Sequence, residues 1–374
     1  MVEGLTFAYL VLFPFGQIIR VGIFHPTDIV AGLFLLLFLF SKFETPKIYL
    51  NLKRFFFVCL FSLIFSLSLF PLEKVIFDSL YLLRLAAHAS FFMVLWNFCR
   101  NNKAFKKKIF NGLLVSLIFV GVFGWIQYFF YPDVRGLYEW GWDDHLFRMV
   151  GTFLDPGFTG IILVFGFLMA QAMYFQTKSK KYLLLILFFT LSVAFTYSRA
   201  AYLALIAGVI TFAYFYKKFL SALIFIFAFL FLIFVLPRPE GEGVKLERIS
   251  SVESRLENYS ESLSLMKTSP IFGLGFNNIC VAKEQFLGKV DNSSHSCSGV
   301  DSSLLFVIAT VGVVGFLVFA DLITGFIRNS SHNIYGLLFI SSLAALFVDS
   351  LFIKSLFYPW VMGYLAVVSA TTQT

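Results

Sequence analysis

Arg148, Arg199, Arg248 and Arg255 sit in the polar breaks between long apolar runs, and Asp301 closes the last large break. A guanidinium is a planar fork of donors that suits bidentate binding of phosphate oxygens. A partly buried carboxylate can take the proton of an attacking hydroxyl. Together they are the equipment for holding an anionic leaving group beside an activated nucleophile. Arg84 lies inside an apolar run, where an unpaired charge is expensive, so it should face a bundle interior or a wet cavity.

Other chemistries find less support. Gly273 and Gly275 in FGLGF permit a tight turn but lack the Gly-Lys-Ser/Thr ending of a Walker loop. Cys280, His295 and Cys297 match no usual zinc spacing and want a fourth ligand, and no DxD pair is present, so no metal and no cofactor are expected. His145 stands alone in YPDVRGLYEWGWDDHLFRMVGTF and reads as a surface histidine. The Trp and Tyr residues of that stretch read as an interfacial belt, with a saccharide-facing role left open.

The elements that position these residues must be membrane helices. Hydrophobic residues make up 59% of the 374-residue chain and charged ones 13%, which excludes an ordinary soluble domain. Runs of about 20 apolar residues recur, and in lipid such runs must be helices. We expect about twelve spans, near 5–24, 27–41, 55–70, 76–98, 109–131, 157–176, 182–197, 200–216, 219–236, 302–325, 334–350 and 356–371. This divides the chain into 1–236 with nine spans, a polar loop at 237–301, and 302–374 with three more.

The net charge of +8 is better explained by helix-end lysines than by nucleic acid. Counted from a cytoplasmic N-terminus, alternate short loops carry fifteen basic residues against six on the other side, so both termini are expected in the cytoplasm. The outer side is enriched in arginine, which supports an anionic ligand there. Cys59 and Cys99 fall in or beside spans and read as inert core residues. Cys280 and Cys297 share the long loop, which leaves a disulfide between them open.

Within that loop, Ser250 and Glu253 have capping-box spacing. Val252, Leu256, Tyr259, Leu263 and Met266 then form one face of an amphipathic helix ended by Pro270. Such a helix would lie apolar side down on the membrane surface, holding Arg255 at headgroup depth.

Several ordered stretches resemble the O-antigen polymerase and O-antigen ligase superfamily of bacterial membrane glycosyltransferases. They are RMVGTFLDPGFTG with Arg148, TYSRAAYLAL with Arg199, SRLENYSESLSLMKTSPIFGLGFNN with Arg255, and VDSSLLFVIATVGVVGFL after the loop. The resemblance implies an all-α polytopic GT-C-type fold with one large periplasmic loop, in the bacterial inner membrane with the active site facing the periplasm. It also implies metal-independent, inverting transfer of glycan from undecaprenyl pyrophosphate. Pyrophosphate-binding arginines map onto Arg199 and Arg255, and less directly onto Arg148.

In the ligases a histidine stands eleven residues before a glycine of the following helix. Counted back from Gly312 that position holds Asp301, and His295 is six residues too early. This departure favours a polymerase, in which Arg199 and Arg255 hold the diphosphate and Asp301 serves the acceptor hydroxyl. Arg84, Arg148, Arg248 and His295 would support them. Asp301 could equally cap the next helix. The implied partners are an undecaprenyl-pyrophosphate-linked oligosaccharide, membrane lipid and a chain-length regulator. The alternatives are a ligase acting on lipid A-core and a flippase without chemistry, though no internal repeat of the transporter kind is evident.

Overall fold

The computed structural model describes residues 1–239, 241–288, 297 and 299–372. Among them are fourteen α-helices and no strands. The first half contains α1 (Val2–Leu12), α2 (Pro26–Phe40), α3 (Tyr49–Phe65), α4 (Leu72–Asn101), α5 (Lys103–Phe130), α6 (Pro156–Thr177) and α7 (Lys180–Ala194). Then follow α8 (Arg199–Tyr216), α9 (Phe219–Val235), α10 (Ser250–Met266), α11 (Ile279–Leu287), α12 (Ser303–Arg328), α13 (Ile334–Asp349) and α14 (Pro359–Thr372).

Six helices (α3 with its following turn, α4, α5, α6, α8 and α12) are long and apolar enough to cross a membrane. Four more, beginning at Val2, Pro26, Phe219 and Ile334, are apolar but shorter. Each of the twelve expected stretches overlaps a helix, though α7 and α14 fall in neither group, and the first differs most in extent. The run expected at 5–24 is helical only to Leu12, followed by a 3₁₀ turn at Phe13–Phe15. Pro14 and Gly16, at φ 55°, end it there. The chain then docks on the middle of the sequence, with Gln17 N–H on the Thr152 carbonyl at 2.8 Å and Thr152 Oγ1 on the Pro14 carbonyl at 2.7 Å.

The centre of the bundle is α6, which is apolar on all sides and almost wholly buried between α5, α7, α8 and α13. The peripheral α9 instead exposes Phe227, Phe231 and Phe234. Such an outward apolar surface is what a bilayer requires of a helical bundle. Arg84 is buried on α4 as expected, and Asp28 of α2 neutralises it through Nε at 3.0 Å and Nη2 at 2.8 Å. The Ile23 carbonyl accepts a further bond from it.

The break in α12 positions the loop. Gly312 leaves helical geometry at φ 67°, ψ −174°, which frees backbone groups deep in the structure. The FGLGF turn repairs them. Leu274 and Gly275 donate to the Ala309 and Thr310 carbonyls at 3.0 Å each, and Val313 donates to the Pro270 carbonyl at 3.0 Å. Broken helices at this depth persist only where other protein groups satisfy them in this way.

Downstream, α11 docks on the turn between α3 and α4. Lys74 pairs with Glu284, and Gln285 donates to the Leu69 carbonyl at 3.0 Å. Cys280 and Cys297 form a disulfide with Cα atoms 5.1 Å apart, while Cys59 and Cys99 are free and buried.

Two expectations for α10 change. Ile249 is already in the αR region and caps the helix without a side-chain bond, so Ser250 is inside the first turn and the Ser250–Glu253 box does not form. Of the apolar stripe, Val252, Leu256 and Leu263 are exposed, whereas Tyr259 and Met266 are partly buried and Tyr259 donates to the Asp301 and Leu351 carbonyls. The inward face is Ser251, Arg255, Asn258, Ser262 and Leu265, whose first three residues are polar and line a cavity.

Candidate active site

Beneath α10 lies a cavity of about 1390 Å³. Pockets for drug-sized ligands run to about 1,000 Å³, so this one has room for more than a single sugar ring. Its lining brings together Arg84, Arg148, Arg199, Arg248, Arg255 and Asp301, six of the seven residues singled out from the sequence. The seventh, His295, lies outside the described residues.

The helices aim their N-termini here. Asp155 caps α6, accepting from Gly157 and Phe158 N–H at 2.7 and 2.8 Å, and Ser198 caps α8. Arg199 is the first residue of α8, and Ser250 and Ser251 at the start of α10 line the same space. Converging N-termini supply positive potential and free N–H groups for an anion. Among the described residues six non-glycine positions have positive φ, and four of them (Phe147, Leu154, Tyr197 and Asn277) are cavity-lining or directly precede a lining residue. Strained backbone of this kind collects where a site must be held in one shape.

The arginines divide by what already holds them. Arg148 is buried, donating through Nε to the Thr196 carbonyl at 3.1 Å and through Nη2 to the Tyr197 carbonyl at 3.2 Å. It thereby fastens the turn that presents Arg199. Burial and the neighbouring Arg248 bring its pKa down to about 10. Arg199 donates to the Leu246 and Arg248 carbonyls at 3.2 Å each and to Ser251 Oγ at 2.5 Å, fixing the loop over the cavity. Arg248 donates to the Gly243 and Lys245 carbonyls at 2.8 and 2.7 Å. Arg255 rests over the Phe352 ring at 5.9 Å and has no hydrogen-bond or ion-pair partner among the described residues. Its donors are therefore the ones open to a ligand.

Asp301 is bound to the same helix as Arg255: its N–H donates to Asn258 Oδ1 at 2.9 Å and its carbonyl accepts from Tyr259 OH at 3.2 Å. Burial raises the pKa of its carboxyl group, against the pull of Arg255 and Lys283. It does not cap α12, because Ser302 does so through Leu305 N–H at 3.3 Å. The carboxylate remains available to the cavity.

Residues 183–320 match the family model described as O-Antigen ligase, a span running from α7 past the break in α12 and including Arg199, Arg255 and Asp301. The match supports the O-antigen ligase/polymerase superfamily for this part of the chain. No curated protein matches it. Together with the apolar helices, the match supports a multi-pass membrane protein and points to glycosyltransferase-type chemistry.

Some residues of the cavity were not evident from the sequence. His145 is buried rather than at the surface, with Nε2 3.9 Å from Asp155 Oδ2. The loop folds back there through an isolated bridge between Asp133 and Leu146, carrying His145 inward. Burial, with Arg148 and Arg248 nearby, pushes its pKa to about 3, so it is neutral. Burial raises the Asp155 carboxyl. Asp143, His145 and Asp155 offer ligand atoms all within 4.8 Å of one another and are the described residues able to hold a metal ion.

Lys354, read from sequence only as a loop charge, also lines the cavity. Its Nζ lies 3.1 Å from Asn277 Oδ1 and 3.8 Å over the Phe306 ring, and Asn277 in turn donates to Asp78 at 3.0 Å. Burial, reinforced by Arg84 and Lys283 and opposed by Asp78, brings its pKa to about 7. The unfolded chain keeps that proton up to about pH 10.4. The unfolded state thus binds more protons between these values, and this group's contribution to stability rises with pH across that window. Lys354→Met is therefore expected to raise the thermal midpoint more at pH 6 than at pH 9. Equal shifts at both pH values in detergent melts would contradict the assignment.

Proposed function

We propose that this protein is a surface-polysaccharide polymerase. It transfers glycan from undecaprenyl pyrophosphate onto a sugar hydroxyl of another lipid-linked repeat unit. The acceptor oxygen attacks the anomeric carbon, and the bond from that carbon to the phosphate oxygen breaks with inversion. The diphosphate leaves with the electron pair, and Asp301 takes the hydroxyl proton. Arg255 and Arg199 face the charge that develops on the leaving group. Guanidinium groups fixed in a site of low dielectric stabilise such charge strongly. The observation that carries this reading is the convergence of Arg148, Arg199, Arg248, Arg255 and Asp301 on one cavity at three helix N-termini.

A periplasmic location for this cavity and twelve spans in a GT-C arrangement belong to the same proposal. A ligase is the second reading, favoured by the description of the matching family model. Asp301 at the position where the resemblance places a ligase histidine favours the polymerase. Gel analysis of surface polysaccharide from a deletion strain separates the two: a single-repeat band is expected, and the absence of any attached repeat would mark a ligase. In complemented strains, Arg199→Lys and Asp301→Asn are expected to give the same single-repeat band. Full-length ladders from both would refute the site.

A further inference from the structure

Two carboxylates and a buried imidazole meet in the cavity. His145 Nε2 is buried without a hydrogen-bond partner among the described residues. Asp155 uses Oδ1 on the N–H groups of Gly157 and Phe158, which leaves Oδ2 toward the imidazole at 3.9 Å, too long for a hydrogen bond. An Asp143 oxygen falls within 4.8 Å of both ligand atoms. A buried polar atom without a partner is costly, and native structures keep one where a ligand supplies the missing bond.

The neighbours choose between occupants. Arg148 and Arg248 both act electrostatically on His145, and Arg148 and Arg255 on Asp155. A dication would enter against these guanidinium groups and would need the lone pair on Nε2. A hydroxyl meets no such repulsion, and it can donate to the carboxylates while donating to or accepting from either imidazole tautomer. Trp142, the residue before Asp143, lines the same cavity, with Arg20 over its ring at 5.6 Å.

We propose that Asp143, His145 and Asp155 form a saccharide subsite that binds hydroxyls of the glycan on the sugar nearest the diphosphate. This rests on the donor assignment made above. The probes are undecaprenyl pyrophosphate, which lacks sugar, and the lipid-linked repeat unit extracted from cells deleted for this protein. Binding of each to purified protein is measured by calorimetry for wild type, Asp143→Asn and His145→Ala. Asp155 is left intact because it caps α6.

Both variants are expected to weaken repeat-unit binding about tenfold or more, the loss of one or two hydrogen bonds, with undecaprenyl pyrophosphate binding unchanged. Asp143 is exposed, so Asp143→Asn keeps the test valid if His145→Ala fails to fold. Unchanged affinity for the repeat unit, or equal weakening of both lipids, overturns the subsite alone. Repeat-unit binding lost in EDTA and restored by Mn²⁺ overturns it in favour of a cation. Wild-type protein that binds neither lipid overturns the donor assignment and the subsite with it.

Discussion

Arg255→Ala is expected to lower glycan transfer by about 10²- to 10³-fold, the usual loss when one donor facing a developing negative charge is removed. Its thermal midpoint should stay near that of wild type. Arg255 is half-buried on the inward face of α10, and among the described residues nothing hydrogen-bonds to its guanidinium. Truncation therefore leaves no buried carbonyl unsatisfied in the free protein.

Arg199 contrasts with it. Removing that side chain frees the Leu246 and Arg248 carbonyls and Ser251 Oγ together, so activity and loop order fall at once. Arg255→Lys keeps the charge but loses the planar fork, and an intermediate rate follows. In vitro extension of a defined lipid-linked oligosaccharide measures the rates. A wild-type rate for Arg255→Ala would remove the leaving-group assignment.

Gly273→Val is expected to cost more than about 3 kcal/mol and to leave little monodisperse protein after extraction. At Gly273, φ is +76° and a Cβ would stand 2.3 Å from the Thr310 carbonyl oxygen. At Gly312, φ is +67° and a Cβ would stand 2.1 Å from the Ile271 carbonyl oxygen. Two backbones cross in contact here, and each tolerates only hydrogen on the facing carbon. Neither neighbour can swing aside, because both are main chain and joined by the bonds that repair α12. Gly4→Ala is the control: nothing lies within 4 Å of its Cβ, and the midpoint should hardly move. Size-exclusion profiles and melting curves read both. A monodisperse, wild-type-like Gly273→Val protein would contradict the close crossing.

Much of this arrangement was legible in the sequence, for a physical reason. In a chain of apolar helices every arginine away from the lysine-rich helix ends stands out, and lipid forces it to a partner or a cavity. Arg84 found Asp28, and Arg148, Arg199, Arg248 and Arg255 found one cavity. What stayed hidden lies in irregular segments, where no periodicity reports direction. Nothing in YEWGWDDH says that His145 turns inward while Trp140 stays out. Nor does a single lysine at 354 announce that Phe306 and Asn277 surround it.

Local rules also gave way to tertiary contacts. Ser250 had the spacing of a capping box. In the fold, the preceding carbonyls of Leu246 and Arg248 are held by Arg199, and the helix starts before a side chain can cap it. The helix before the long loop and the helix after it were both evident, but the repair of Gly312 by residues some forty positions upstream was not.

That repair sets an order of assembly. The segment from Pro270 to Gly275 leaves the ribosome before α12 does, yet it has nothing to bind until α12 arrives. Bare peptide groups at Gly312 would be costly in hydrocarbon, so the break in α12 is stable only with the Pro270–Gly275 segment docked against it.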